Sequence, residues 1–530
     1  MQTIAQFLAQ ELLAAGVKTV FGLPGGENVE VLDAIREVGI DFILVKNESS
    51  ACFMADAAAR LTGKPGVALT TLGPGATNAY VGLAHAYLER SPVLLVTAQT
   101  DPRLIGTHTH QALDLQACFR PITKLTAEID EYTPVSTIRH ALHTLQSGRP
   151  GPVHLGICDR VAQMPIVVEP VPNKDIPRSN TIPDVSAARN LIEKSKRPII
   201  LTGLGLEPEK PYQEIQALAE TLNAPLIDTP KSKGALSANH PLFAGTLGLT
   251  RTDPVYTLLD ESDCIIAVGF DVVELVKPWD QPQPLLWIAN WDNHDPRIPA
   301  VHEFVGAIAP VLNSLSDVRA SSDPAWGKSR IDAFHAEITA QDLPQAAPDR
   351  ILPQDVLRII RENTPEEIFL TTDVGSHKIF TALNWQAQAP NHYMVSNGLS
   401  AMGFGVTSAI AAALVTGETT IAITGDGGFS MILGELALLK QYDLPLILIV
   451  MNDSALDLIR SAQRRKGKSV FGTEFTNPDY EQIAAAYRIA YSCVQNQESC
   501  VTAIKKAIQA RKPALIEMMV DPISYPTTPR

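Results

Sequence analysis

Two segments of this chain hold the residues best suited to chemistry. One apolar run, Thr420–Thr424, leads into Gly425-Asp426-Gly427-Gly428, and a second, Leu446–Val450, leads into Asn452-Asp453. Each reads as a strand ending in a carboxylate, and the helical stretch between them makes one βαβ unit. Ligands of open parallel sheets bind at the carboxyl ends of the strands, so Asp426 and Asp453 can face one crevice. Glycines there let a diphosphate approach the backbone, and a helix starting near Phe429 would point free N–H groups at it. Two carboxylates plus phosphate oxygens suit Mg²⁺, a hard cation that takes about six oxygens. The bland alternative is a tight turn at GDGG and a helix cap at Asn-Asp-Ser. The pairing argues against it: 24 residues separate Gly427 from Asn452, and each end closes an apolar strand.

A third carboxylate stands apart. Glu48 follows the run Phe42–Val45 at the start of a helical pattern, and Ala51, Cys52, Phe53, Met54 and Ala55 come next. A carboxyl near such an apolar wall should hold a proton well. Capping the helix is the other use for it, although Asn47 or Ser49 would cap equally well. Three further turns are ambiguous by themselves. Gly73-Pro74-Gly75 with Asn78 is a Gly-Pro turn. Thr371–Phe380 (TTDVGSHKIF) is a strand ending in a glycine turn, with Ser376 and His377 at a helix start. The glycines of MVSNGLSAMGFGVTSAIAAAL let backbone come close to a flat ring, while Met402 there would otherwise be core packing.

The elements that must carry these residues follow from the hydrophobic pattern. Short apolar runs (Phe42–Val45, Val67–Thr70, Val93–Thr97, Ile199–Thr202, Cys264–Val268, Ile368–Thr371, Thr420–Thr424, Leu446–Val450) alternate with longer helical patterns. This predicts an α/β protein of stacked βαβ units with mostly parallel sheets flanked by helices. Two proline-rich stretches interrupt it: Pro165 to Pro183, with Pro170, Pro172 and Pro177, and Pro344 to Pro353. Read as linkers, they give three domains, 1–165, 185–340 and 350–530. The N-terminus from Met1 to Phe21 reads as an amphipathic helix with Ile4, Phe7, Leu8 and Leu12 on one face, without the basic region of a signal peptide.

Bulk properties exclude several classes. A chain of 530 residues exceeds one core. Its formal net charge of −14 is the wrong sign for a nucleic-acid binder. The longest apolar stretch, Leu444 to Met451, is far short of the roughly 20 residues a membrane span needs. Six cysteines with no CxxC pair (Cys52, Cys118, Cys158, Cys264, Cys493, Cys500) read as buried reduced thiols of a cytoplasmic protein.

The spacing from GDG to Asn-Asp resembles the motif of thiamine diphosphate-dependent enzymes. The resemblance runs over nearly the whole chain and is greatest to acetolactate synthases of the FAD-independent catabolic type. It is carried by THQALDLQACFRPITK (Thr109 to Lys124), IIAVGFDVVE (Ile265 to Glu274), DVGSHKIF and MNDSALD. It implies the thiamine diphosphate-binding fold for the first domain (pyrimidine-binding) and the third (diphosphate- and Mg-binding), around a central α/β domain. It implies thiamine diphosphate and Mg²⁺ as cofactors, with Asp426, Asp453 and the carbonyl of Ala455 as metal ligands. Gly375, Ser376, His377, Gly425, Gly427 and Gly428 would lie by the diphosphate. Glu48 would activate the cofactor through its pyrimidine ring, with the GPGxxN turn (Gly75, Asn78) beside it. Met402 would wedge the two rings into a V, and the carbonyl of Ser400 would accept from the amino group. His110 and Gln111 match a His-Gln pair lining the active site.

Three departures bear on substrate choice. Glu27 stands where those synthases carry a Lys. Arg460, Ser461 and Ala462 replace a small residue, an apolar or aromatic residue, and a Gln; Arg460 would either clamp an acidic substrate or sit in solvent. The segment after Ser524 is shorter. The central domain has no FDDR-like phrase of the FAD-containing synthases, and the Gly203/Gly205 turn is weak evidence of a nucleotide, so FAD is not expected. The expected activity is decarboxylation of a 2-oxo acid followed by transfer of the acyl carbanion to a carbonyl acceptor. The alternative is a decarboxylase that releases an aldehyde; some of these place a Glu where Ile459 sits. An inactive regulatory paralogue is a minor alternative, and the presence of Glu48 and Asp426 counts against it. The resemblance implies a homodimer or homotetramer with its sites at subunit interfaces, acting on a small 2-oxo acid, with no nucleic-acid or membrane partner.

Overall fold

The computed structural model describes residues 2–107, 110–168, 183–207, 209–293, 295, 298–321, 323–339 and 344–525. Three six-stranded parallel sheets flanked by helices organise them. The first contains β1 (Thr19–Leu23), β2 (Asp41–Leu44), β3 (Gly66–Thr70), β4 (Val93–Ala98), β5 (Leu125–Glu128) and β6 (Val153–Ile157) in the order β2-β1-β3-β4-β6-β5. The second contains β7 (Pro198–Thr202), β8 (Leu226–Asp228), β9 (Phe243–Thr246), β10 (Cys264–Val268), β11 (Leu285–Ala289) and β12 (His302–Val305) in the order β9-β8-β7-β10-β11-β12. The third contains β13 (Phe369–Thr372), β14 (Tyr393–Val395), β15 (Thr420–Gly425), β16 (Leu446–Asn452), β17 (Ala490–Val494) and β18 (Ala514–Met519) in the order β14-β13-β15-β16-β18-β17. The first and third sheets thus share one topology. Their strand order reverses between β1 and β3 and between β13 and β15, where open sheets leave a crevice for ligands.

The central strands are apolar without alternation because both faces are covered: every residue of β3, β4, β7, β10 and β16 is buried. By contacts the chain forms two compact units. One comprises Met1–Ile176, Leu399–Gly417 and Ile432–Tyr442 and contains the first sheet. The other comprises Pro177–Gly398, Glu418–Met431 and Asp443–Arg530 and contains the second and third. Two segments of the expected third domain are therefore grouped with the first sheet. The helix Phe404–Thr416 is buried on nearly every side and packs against the helix Glu48–Thr62, where Phe404 meets Phe53 edge-on with ring centroids 5.8 Å apart.

Several details differ from the sequence expectation. The N-terminal helix ends at Ala14, because Gly16 adopts a left-handed conformation, and Thr19–Phe21 open β1. Ile4, Phe7, Leu8 and Leu12 are buried as expected. The helix after GDG begins at Asp426, not near Phe429, and spans Asp426–Met431. Cys493 is exposed and Cys118 half-buried, so only four of the six free thiols are buried. In the proline-rich stretches Pro165 belongs to a two-residue strand and Pro353 opens a helix; Pro170, Pro172 and Pro177 lie outside the described residues, as does Thr109. The glycines of the second sheet's first turn make room for the chain's own side chains. A Cβ on Gly203 would come within 2.3 Å of Glu274 Oε2, and one on Gly205 within 2.6 Å of the Trp291 ring. No helix among the described residues is long and apolar enough to cross a membrane.

Candidate active site

In the unit of the first sheet, the helix Glu48–Thr62 follows β2. Its cap is Asn47, whose side chain accepts from the Ser49 amide at 2.9 Å. Glu48 is therefore not needed as a cap. Its side chain is buried, and Oε2 accepts from Asn78 Nδ2 at 3.1 Å. The Ser49 hydroxyl donates to the Asn78 carbonyl, which ties the same two loops together again. A Cβ on Gly75 would lie 3.3 Å from Glu48 Oε1 and 2.7 Å from Thr71 Cγ2, so glycine keeps this wall open beside the carboxyl.

The loop before Glu48 is held by a residue that the sequence reading missed. Glu435, nearly four hundred positions away, accepts from the Lys46 and Asn47 amides at 3.0 Å each. Burial raises the Glu435 carboxyl, and a hydrogen bond from Ser50 opposes that. Only tertiary contact joins these residues, so no local motif marks Glu435.

Gln111 has φ of 56°, and a Cβ on Gly73 would come within 2.7 Å of its Cβ. The His-Gln segment therefore meets the Gly73-Pro74-Gly75 turn; Gln111 is half-buried and His110 exposed in this unit. Ser400 is exposed with φ of 54°, Met402 is half-buried, and both belong to this same unit. Left-handed backbone costs a non-glycine residue about 1–2 kcal/mol, and such strain collects at functional sites. Glu27, also half-buried, accepts from Thr71 Oγ1 at 2.9 Å and so shares a wall with Gly75 and Glu48.

In the second unit, Gly375, Ser376 and His377 follow β13, Gly425 closes β15 with Asp426, Gly427 and Gly428 directly after it, and Asp453 follows β16. The third sheet thus brings them to the carboxyl ends of three neighbouring strands, at its topological switch point. Asp426 is buried. Its Oδ2 accepts from the Ser454 amide at 2.7 Å and Asn477 Nδ2 at 2.8 Å, and Oδ1 from the Gly427 amide at 2.9 Å. Burial raises it in spite of these donors, Asn477 first. Burial also pushes Asp453 up to about 7, helped by the charges of Asp426 and Asp457 and opposed by Arg460. Ser454, between Asp453 and Ala455, has φ of 55°. The antiparallel bridge of Ala455 to Glu474 uses the Ser454 carbonyl and the Leu456 amide, not the Ala455 carbonyl.

His377 is buried at the first turn of the helix Ser376–Asn384 and pushed down to about 4 by burial, so it is neutral near pH 7. Its Nε2 is a buried atom without a hydrogen-bond partner. Its ring lies against Gly375 and Gly425, where added Cβ atoms would approach within 2.7 and 3.0 Å. Gly428 is likewise required, since a Cβ there would meet Asp373 Oδ2 at 2.8 Å. An orphaned ring nitrogen beside glycine-lined strand ends fits a phosphate group. Crowded carboxylates fit a divalent cation that would relieve their repulsion. Among the described residues no three His, Cys, Asp or Glu side chains form a ready metal site; the expected set has two, with a carbonyl and diphosphate oxygens completing it.

Arg460 does not sit in solvent, and its guanidinium is taken up by carboxylates of the chain itself. It is buried on the helix Asp457–Arg465, and Nη2 donates to Asp453 Oδ2 at 2.8 Å and Asp457 Oδ1 at 2.9 Å. Asp457 Oδ2 in turn accepts from Ser376 Oγ at 3.0 Å. Asp457 and Asn477 are the other residues of this site that the sequence reading left out. Asp457 lay within the matching MNDSALD phrase, which was the available signal; Asn477 had none.

Two sheets of equal topology thus carry glycine-turned strand ends, the first unit with a buried glutamate beside them and the second with paired aspartates. Comparison with known proteins agrees. Residues 2–118 match the N-terminal TPP binding domain of thiamine pyrophosphate enzymes, residues 185–315 their central domain and residues 373–518 their C-terminal TPP binding domain. The chain belongs to this family and is a thiamine diphosphate-dependent enzyme of the acetolactate synthase-like type. It is 30% identical to a probable acetolactate synthase large subunit of Methanocaldococcus jannaschii, over 98% of this chain and 92% of the relative. The acetolactate synthase of Bacillus subtilis is 28% identical over 98% of this chain and 93% of its own, and the large subunit from Lactococcus lactis is 30% identical over 97% and 92%.

Proposed function

We propose that this enzyme uses thiamine diphosphate and Mg²⁺ to decarboxylate a 2-oxo acid and transfer the acyl unit to a second carbonyl compound, as an acetolactate synthase-like carboligase. The observation that carries this reading is that Glu48 does not cap its helix. Asn47 does, and Glu48 is left buried beside Gly75 with Asn78 holding one oxygen. A buried carboxyl held at one oxygen can share a proton with a ring nitrogen through the other. When bound between these residues, thiamine diphosphate would supply the electron sink that decarboxylation of a 2-oxo acid needs.

The remaining roles belong to the chain. Asp426, Asp453 and the Ala455 carbonyl hold Mg²⁺. Gly375, Ser376, His377, Gly425, Gly427 and Gly428 receive the diphosphate, where neutral His377 can donate without adding charge. Met402 and the Ser400 carbonyl would hold the cofactor's rings, the first by apolar contact and the second by accepting from an amino group. His110 and Gln111 orient the substrate's carboxylate or carbonyl and handle its proton. The pyrimidine-binding domain is 1–165, the central domain 185–340 and the diphosphate domain 350–530. The protein acts as a cytoplasmic homodimer or homotetramer whose sites draw on two chains.

Aldehyde release is less favoured. The helix after the metal site offers Ile459, 51% exposed, and no acid at that position to protonate the acyl carbanion. Product analysis with a panel of 2-oxo acids, with and without acceptor aldehydes, tests the reading. Ligation products are expected; aldehyde alone would mean a decarboxylase, and no turnover at all an inactive paralogue.

A further inference from the structure

The Asp453–Arg460 pair carries an inference that rests on the metal reading above. A bare aspartate offers two equivalent oxygens and a full negative charge. Here Arg460 covers one of them: Nη2 reaches Asp453 Oδ2 at 2.8 Å, and no Arg460 bond goes to Oδ1. The guanidinium cannot drift away easily. Nη2 and Nε also bond Asp457 Oδ1 at 2.9 and 3.3 Å, and Asp457 is anchored by Ser376 Oγ at 3.0 Å and touched by the Ser461 hydroxyl at 3.4 Å. Arg460, Asp453 and Asp457 are all buried, so water screens the pair little. A carboxylate with one oxygen held by a guanidinium N–H approaches what a primary amide presents: one oxygen better placed for a metal than the other, and a charge partly offset by an arginine that it shares with Asp457.

We propose that Arg460 is a positioning residue that holds Asp453 as a one-oxygen metal ligand and thereby selects Mg²⁺ over larger divalent cations. Mg²⁺ demands near-octahedral geometry with short bonds and takes carboxylates through one oxygen. Ca²⁺ accepts six to eight oxygens and readily takes a carboxylate through both. With Oδ2 held by the guanidinium, chelation through both Asp453 oxygens would have to displace or weaken that bond. The sequence left Arg460 between an acidic substrate and solvent; the structure pairs it with Asp453 and Asp457.

The test measures Mg²⁺ and Ca²⁺ affinities by calorimetry on the full-length protein with thiamine diphosphate present. The wild type is expected to prefer Mg²⁺. Arg460→Ala frees Oδ2 and should move the Mg²⁺:Ca²⁺ affinity ratio toward Ca²⁺ by about tenfold or more. Arg460→Lys, which keeps one donor and the charge, should recover part of the wild-type ratio. The double variant Asp453→Asn/Arg460→Ala should restore it nearly fully, because an amide cannot chelate. Asp453→Asn alone, which keeps Arg460 on Asp457, should hold the wild-type preference for Mg²⁺ and reports even if the Arg460 variants fold poorly; a shift of Asp453→Asn toward Ca²⁺ overturns the proposal. A wild-type ratio in Arg460→Ala overturns the proposal, and so does a double variant that stays shifted toward Ca²⁺. Failure of the underlying metal reading looks different: the wild type would then bind neither ion more tightly than Asp426→Ala does.

Discussion

Asn78 donates from Nδ2 to Glu48 Oε2 at 3.1 Å, while Asn47 caps the helix that Glu48 begins. The capping work and the positioning work are thus done by two different asparagines. Glu48→Gln keeps the shape and removes the acid. It should lower turnover by about 10²–10⁴-fold while thiamine diphosphate still binds, as calorimetry would show. Asn78→Ala should cost less, on the order of tenfold, because the carboxyl remains but is no longer held. Near-normal turnover in Glu48→Gln would reduce Glu48 to a helix-start residue.

Metal dependence follows from the strand-end carboxylates Asp426 and Asp453. Treatment with a chelator should abolish activity, and Mg²⁺ added with thiamine diphosphate should restore it. Full activity in a preparation free of metal and cofactor would sink the assignment.

Glu48 and Asp426 belong to different compact units of the chain. If each site takes one unit from each of two subunits, two inactive variants can complement. Mixing Glu48→Gln protein with Asp426→Ala protein should recover about a quarter of wild-type activity, since roughly half of the dimers are hybrids with one intact site in two. An active protein that sediments strictly as a monomer contradicts this.

Substrate ranking should respond to Glu27. Its carboxylate is tied to Thr71, which packs on the Gly75 wall beside Glu48, whereas Arg460 is sequestered by Asp453 and Asp457. Reversing a charge near a substrate carboxylate shifts binding by roughly 1–4 kcal/mol. The wild type is expected to turn over another 2-oxo acid or acceptor better than pyruvate, and Glu27→Lys to raise turnover of pyruvate. Rates on pyruvate and on larger and acidic 2-oxo acids check this; an unchanged ranking with pyruvate first in both proteins defeats it.

Glu274 gives the fold a pH dependence. It is buried and accepts from the Leu204 and Asp271 amides at 3.0 Å each and from the Thr229 hydroxyl, yet burial still pushes it up to about 8. The folded state therefore binds its proton more tightly than the unfolded chain, where a Glu titrates near 4.3. The stabilisation is full below that unfolded value and is lost as pH rises through about 8, on the order of a few kcal/mol. Thermal melts from pH 6 to 9 should show the wild type losing stability, and Glu274→Gln losing clearly less. Parallel curves would mean that Glu274 stays charged in the fold.

Much of this enzyme was legible in its residues. The fold class was, because strands buried on both faces write continuous apolar runs, and strands such as Cys264–Val268 appear where those runs stand. The paired strand ends were legible too, because Asp426 and Asp453 lie within one βαβ unit, and spacing along the chain translates directly into neighbouring strands. What the sequence left open depends on contacts between distant segments. Whether Glu48 caps its helix or serves a site depended on Asn78, thirty positions away, and on Glu435 holding the loop before it. Whether Arg460 is exposed to solvent or paired within the chain depended on which way one helix turns its buried face. Asp457 sits one turn before Arg460 and Asp453 seven residues before it, and the buried guanidinium pairs with both, since leaving it unpaired would be costly. Periodicity sets which elements form and which side of each is apolar. The partner of a buried charge is decided only when separate elements close around it, because the cost of leaving it unpaired does not exist until water is gone.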